Sequence, residues 1–294
     1  MTGPVAALLD EGERLHLQHG PIDLIIGADS VLPGGRERAF AAAAARLDGL
    51  LEALVAELPL LRAPLRPDAQ EPVGPVARRM HAAALPYCAD IFLTCMAAVA
   101  GAVADEILSA MTAAEPLRRA YVNNGGDIAI HLSGATRFTT AMVALDGRAL
   151  GRIALTGADG VGGMATSGAG GRSHSFGIAD SVTVLAASAA EADVAATLIA
   201  NAVDLPGHPA ICRSPASELQ PDSDLGDRLI VTEVGSLCAA DIRDALSSGA
   251  AEATRLLRDR RIAGAALFLQ GEQMLTGTYF GQDAQLGKVD HVEV

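Results

Sequence analysis

The stretch YVNNGGDIAIHL, residues 121–132, decides how this chain is read. Two asparagines and an aspartate bracket Gly125 and Gly126, and an alternating strand-like run follows. One reading is a tight turn entering a strand. The other is a place where a phosphate or sugar comes close to the backbone, which glycine permits.

Outward from this stretch, residues 120–185 read as strands separated by glycine-rich turns. YVNN, DIAIHL, TTAMVAL, RIALT and SVTVLA are the expected strands. SAAE at 188–191 is a capping box, so a helix is expected from Ala189 to about Val203, ended by Pro206-Gly207. LIVTEV (229–234) predicts a strand, 241–261 a helix, and IAGAALFLQ with MLTGTYF a hairpin around Gly271. Upstream, ERLHLQHG (13–20) and IDLIIGAD (22–29) predict a hairpin joined at Gly20-Pro21. An alanine- and leucine-rich helix is expected over Arg36–Leu58. A loop is expected over 59–75, which holds five prolines, and a long helix over about Pro86–Met111. The small residues of MAAVAG (96–101) would let that helix pack closely on a neighbour. Strands and helices come in groups, which predicts an α+β fold with largely antiparallel sheet and long alanine-rich helices. No linker splits the chain, so a single domain over 1–294 is expected. A strand, turn and helix recur near 22–58, 181–203 and 229–261, the pattern of an internal β/α duplication.

Composition narrows the function. Asp and Glu outnumber Lys and Arg by 35 to 22, giving net charge −13 and pI about 4.9. Such a surface repels nucleic acid and anionic membranes. Three tyrosines, six phenylalanines and no tryptophan leave few stacking platforms for single strands. The N-terminus reads without a signal peptide. IFLTCMAAVAGAVA (91–104) is too short for a membrane span and is expected to be a buried helix. The four cysteines form no CxxC pair. These features predict a cytoplasmic protein with reduced thiols.

Several polar groups could carry chemistry. The segment GADGVGGMATSGAGGRSHSFG (157–177) is either a flexible hairpin connection or an anion-binding nest. It matches neither a P-loop nor a GxGxxG motif. Within it, Thr166, Ser167, Gly168, Arg172 and Ser173 are candidate cofactor-binding residues, together with Asn124, Gly125 and Gly126. In EADVAATLIANAV (191–203), Asp193, Thr197 and Asn201 share one helix flank. A carboxylate and a hydroxyl one turn apart can both touch a hard cation such as Mg²⁺. The plain alternative is a solvated acid and a threonine bonded to its own helix. His174 is a candidate acid, base or phosphate ligand. Asp127 could touch a metal or a ribose hydroxyl, or be an ordinary turn residue.

NNGGDI (123–128), SVTVLA (181–186) and ADVAAT (192–197) together resemble the ordered signature of the ApbE superfamily, whose best-known members are FAD:protein FMN transferases. MAAVAGAVA (96–104) and TSGAGGRSHSFGIADSVTV (166–184) resemble a cytoplasmic side branch of it. The resemblance runs from about residue 80 to 205. It implies a T-fold-like α+β scaffold. It also implies a Mg²⁺ held by Asp193 and Thr197 beside the FAD pyrophosphate, and a flavin cleft lined by Gly125, Gly126 and Asp127. His174 and Asp127 would be the catalytic pair. Where the transferases carry His followed by Asp-Pro-Thr-Gly, this chain reads HSFGIAD, so only His174 matches. Three functions follow as expectations. The first is Mg²⁺-dependent FAD cleavage or FMN transfer to a protein acceptor. The second is non-catalytic binding of a flavin, pterin or nucleotide-like cofactor by an accessory protein. The third is assembly as a homo-oligomer.

Overall fold

A computed structural model describes residues 3–143, 149–169 and 174–281. The chain opens with β1 (Val5–Leu9), β2 (Arg14–His19) and β3 (Ile22–Ser30). Leu15 and Leu17 on β2, and Ile22, Leu24 and Ile26 on β3, alternate inward, the period that buries one face of a sheet. The helical stretch then divides into α1 (Gly35–Leu47), α2 (Leu50–Ala56) and α3 (Leu58–Arg62). The single helix expected over 36–58 breaks at Asp48-Gly49, where Gly49 takes φ +71°. The loop expected over 59–75 begins instead inside α3, with Pro59 in its first turn, where its missing N–H costs nothing.

α4 (Pro75–Ala84) and α5 (Val99–Ala114) replace the long helix expected from Pro86. The chain turns between them. Thr94 adopts extended dihedrals, its hydroxyl accepts from the Met96 amide, and a 3₁₀ turn at Cys95–Ala98 leads into α5. The 20-residue apolar segment Cys95–Ala114 is long enough to cross a membrane, but here it is packed against other helices and the sheet. Gly101, Val103, Ile107 and Met111 on it are buried.

β4 (Leu117–Asn124), β5 (Asp127–Leu132), β6 (Arg137–Val143), β7 (Ala149–Thr156), β8 (Gly163–Ser167) and β9 (Ser181–Ala186) follow. β8 corrects the reading of 157–177 as connection alone. α6 (Ala189–Ala202) starts as expected, with the Ser188 hydroxyl accepting from the Glu191 amide. β10 (Ile211–Pro215), α7 (Ala216–Leu219), β11 (Leu229–Val234) and α8 (Ala239–Arg258) lead to the hairpin of β12 (Gly264–Leu269) and β13 (Glu272–Thr276), then β14 (Phe280–Gly281).

The main sheet has nine strands in the order β1-β2-β3-β4-β5-β8-β9-β12-β13, and every described pairing is antiparallel. This is the α+β architecture expected. Alternation along each strand serves two cores. Ala120 and Val122 on β4 face the helices, as do Val182 and Val184 on β9 and Leu267 on β12. Tyr121, Leu185 and Phe268 face the opposite way, onto a second sheet of order β14-β7-β6. The result is three layers: helices, a large sheet and a small one.

Candidate functional site

The NNGGD segment answers both readings of it. Asn124 pairs with Asp127 across β4 and β5, and Gly125 (φ +65°) and Gly126 (φ +107°) form the two-residue turn between them. Two successive positive φ angles suit the right-handed strand twist and strongly favour glycine. Asn123 Oδ1 locks the turn by accepting from the Gly126 N–H at 2.8 Å. Asn124 donates its side-chain amide to the Ala100 carbonyl at 3.1 Å, tying the turn to the start of α5. The same turn lines a cavity of about 680 Å³, a size typical of small-molecule sites.

That cavity gathers the residues singled out from sequence. Asn124, Gly125, Gly126 and Asp127 line it from the β4–β5 end, and Thr166, Ser167 and Gly168 from the end of β8. His174 comes from the following loop, and Asp193, Thr197 and Asn201 from one flank of α6. Arg172 and Ser173 lie outside the described residues. Asp127 Oδ1 accepts from the Thr166 amide at 3.2 Å, and the Thr166 and Thr183 hydroxyls bond at 3.0 Å. Asp193 Oδ2 accepts from the Gly101 amide at 3.1 Å.

Electrostatics sets the chemistry. Burial pushes the Asp193 carboxyl well above the usual carboxylate range, and the negative charge of Asp127 pushes it the same way. The Gly101 and Ala100 amides oppose the shift, and Asp105 adds to it. Asp193 is half-buried and borders the cavity. Asp222 and Asp224 line the same cavity, whereas among the described residues its basic side chains are Arg62 and His174. Such a space repels a pyrophosphate unless a cation accompanies it.

The donors fit a hard cation: two mutually repelling carboxylates and the Thr197 hydroxyl, all oxygen. Among the described residues no three His, Cys, Asp or Glu side chains form a metal cluster. A Mg²⁺ here would therefore draw the rest of its shell from water and ligand oxygens.

Sequence reasoning missed an aromatic wall. Phe92 and Phe176 both line the cavity, with centroids 6.5 Å apart at 63°, an edge-to-face pair. The Arg228 guanidinium lies 3.3 Å from the Phe92 centroid. Phe40, Phe138, Phe268 and Phe280 are all buried, so Phe92 and Phe176 are the two phenylalanines left partly open. Phe176 is held by its backbone: its N–H donates to Asn201 Oδ1 (2.9 Å) and its carbonyl accepts from Arg213 (2.5 Å). Thr94 donates to Asp224 at 2.5 Å and joins the two loops that complete the wall. The only sequence signal was the position of Asn201, i+8 from Asp193.

An α+β protein with an acidic, oxygen-rich cleft walled by aromatic rings is the class that fold and site define. A family model described as "AbpE bacteria" matches residues 6–275. The chain belongs to that family and so to the ApbE-like superfamily. No curated protein matches it. Among solved structures it is similar to the flavin transferase ApbE from Vibrio cholerae, with 12% identity and a TM-score of 0.41 over 94% of this chain and 99% of that one.

Proposed function

We propose that the cleft binds a flavin nucleotide, FAD or FMN, with Mg²⁺, and that the chain cleaves the FAD pyrophosphate or transfers its FMN half. The observation that carries this reading is the meeting, in one cavity, of Asp127, Asp193 and Thr197 with Phe92 and Phe176. An oxygen-donor cluster suits a cation-bound pyrophosphate, and an aromatic wall suits a planar ring. Family membership supports the flavin.

In this reading Asp193, Thr197 and Asp127 hold Mg²⁺. When bound, the ion neutralises the pyrophosphate and polarises the scissile P–O bond. The Gly125-Gly126 turn lets ligand oxygens come close to the backbone, since it carries no side chain of its own, while the Gly126 N–H stays bonded to Asn123 Oδ1. Phe92 and Phe176 orient the ring and exclude water from one side. His174 delivers or removes the proton at the departing or attacking oxygen. With water as acceptor, the products are FMN and AMP. With a protein hydroxyl, FMN is esterified to the protein and AMP leaves.

A second reading, a flavin- or pterin-binding accessory protein without turnover, draws on Asp180. Its Oδ2 accepts from the Gln270 amide at 2.6 Å, so the aspartate of HSFGIAD is engaged in sheet structure. Flavin fluorescence separates the readings, because adenine quenches the flavin in intact FAD. A slow Mg²⁺-dependent rise, with AMP formed, supports cleavage. An immediate saturable change that then stays flat supports binding alone. No change in either channel removes FAD from both.

A further inference from the structure

Two carboxylates lock α5 and α6 together reciprocally. Asp105, on α5, accepts from the Ala189 amide at 3.0 Å and the Ala190 amide at 2.9 Å, the first two residues of α6. One turn further along α6, Asp193 returns the contact, accepting from the Gly101 amide in the first turn of α5. The helices therefore run antiparallel, and each lends the other a carboxylate at its N-terminus, where free amides need acceptors. α5 has no side-chain cap of its own, because Ala98 stands at that position. The closest approach is at Gly101, where a Cβ would lie 2.3 Å from the Ala189 carbonyl oxygen.

We propose that Asp105 is a positioning residue. With Gly101, it fixes the register and depth of α6, and thereby where the Asp193 carboxylate and Thr197 hydroxyl stand in the cavity. This rests on the reading that those two groups hold a cation. Both ends of the lock share one rigid link, the first turn and a half of α6. A slide of α6 that stretches the Asp105 bonds also shifts Asp193 against Gly101. Groups behind metal ligands usually tune affinity by about 10- to 100-fold.

The test uses Mn²⁺ alone, titrated into the full chain, with free Mn²⁺ followed by its paramagnetic resonance signal. Wild type, Asp193→Ala, Asp105→Asn and Gly101→Ala are compared at a temperature where each is folded. The wild type binds through Asp193, so Asp193→Ala loses the site. Asp105→Asn and Gly101→Ala each weaken binding by about 10-fold, although neither change removes a cation ligand. Wild-type affinity in both folded variants overturns the positioning role and leaves the cation reading intact. Absence of Asp193-dependent binding in the wild type overturns both. Should Asp105→Asn not fold, Gly101→Ala decides alone, since it adds one methyl and removes no carboxylate.

Discussion

At the scale of single residues, the site divides into groups whose chemistry shows in sequence and groups that only folding brings together. Asp193 and Thr197 are legible because helical spacing and the ADVAAT resemblance point to them. Asp127 is legible from its glycine turn. Phe92 and Phe176 are not, since each sits in a loop and nothing local links two distant phenylalanines. Their contribution can be measured: Phe92→Ala should weaken flavin binding by about 10-fold, the usual scale for losing one stacking partner. Fluorescence titration reads that loss, and unchanged affinity would move the ring elsewhere in the cavity. Asp193→Ala should remove all Mg²⁺ stimulation of turnover. Stimulation that persisted in that variant would take the cation away from α6.

Among elements, the strands were largely readable from alternation and the helices from capping. The exceptions have physical causes. β8 was hidden because Gly162 and Gly163 look like loop residues. They are small because the start of α6 and the residues just before it press on them: a Cβ at Gly162 would lie 2.2 Å from the Ala187 carbonyl oxygen, and one at Gly163 2.1 Å from the Ala189 amide nitrogen. Gly163→Ala should therefore cost about 1–3 kcal/mol, as overpacking does, with a lower urea midpoint as the readout. The long helix predicted from Pro86 failed because 92–94 serve as a cavity wall and the Leu65 amide bonds to the Leu93 carbonyl, which holds this stretch out of a helix. Helices also meet through charge. Glu106 of α5 accepts from Arg46 of α1 and Arg79 of α4, each at 2.9 Å. Burial raises the Glu106 carboxyl, but the two guanidiniums outweigh it and hold it below its ordinary value. A carboxylate so lowered adds stability above its unfolded pKa and loses it as pH falls through the folded one. Melting temperature should thus drop on acidification below about pH 4.3. Glu106→Gln should flatten that part of the curve, and an unaltered acid limb would refute the assignment.

For the whole molecule, charge is the property most clearly written in the sequence. A chain of net charge −13 with Asp127, Asp193, Asp222 and Asp224 around one cavity should bind FAD poorly without a divalent cation. The little binding that remains should strengthen as salt rises, because screening weakens repulsion. Titration in chelator at two ionic strengths checks this. Affinity that falls with salt would mean that cations dominate the cleft. The same charge is the ground for expecting no nucleic-acid partner, but the three-layer arrangement was not legible. Which face of the sheet receives the helices depends on pairings between strands far apart in the chain.

The cavity borrows its lining from Arg62 through Leu225. A ribosome must therefore release more than two-thirds of the chain before the pocket can close, and β3 must wait for β4 across an intervening helical excursion. Non-local pairings of that kind slow folding. Any ligand that fits the cleft will then favour the finished fold over its precursors, so ligand supply during synthesis would influence how much protein matures.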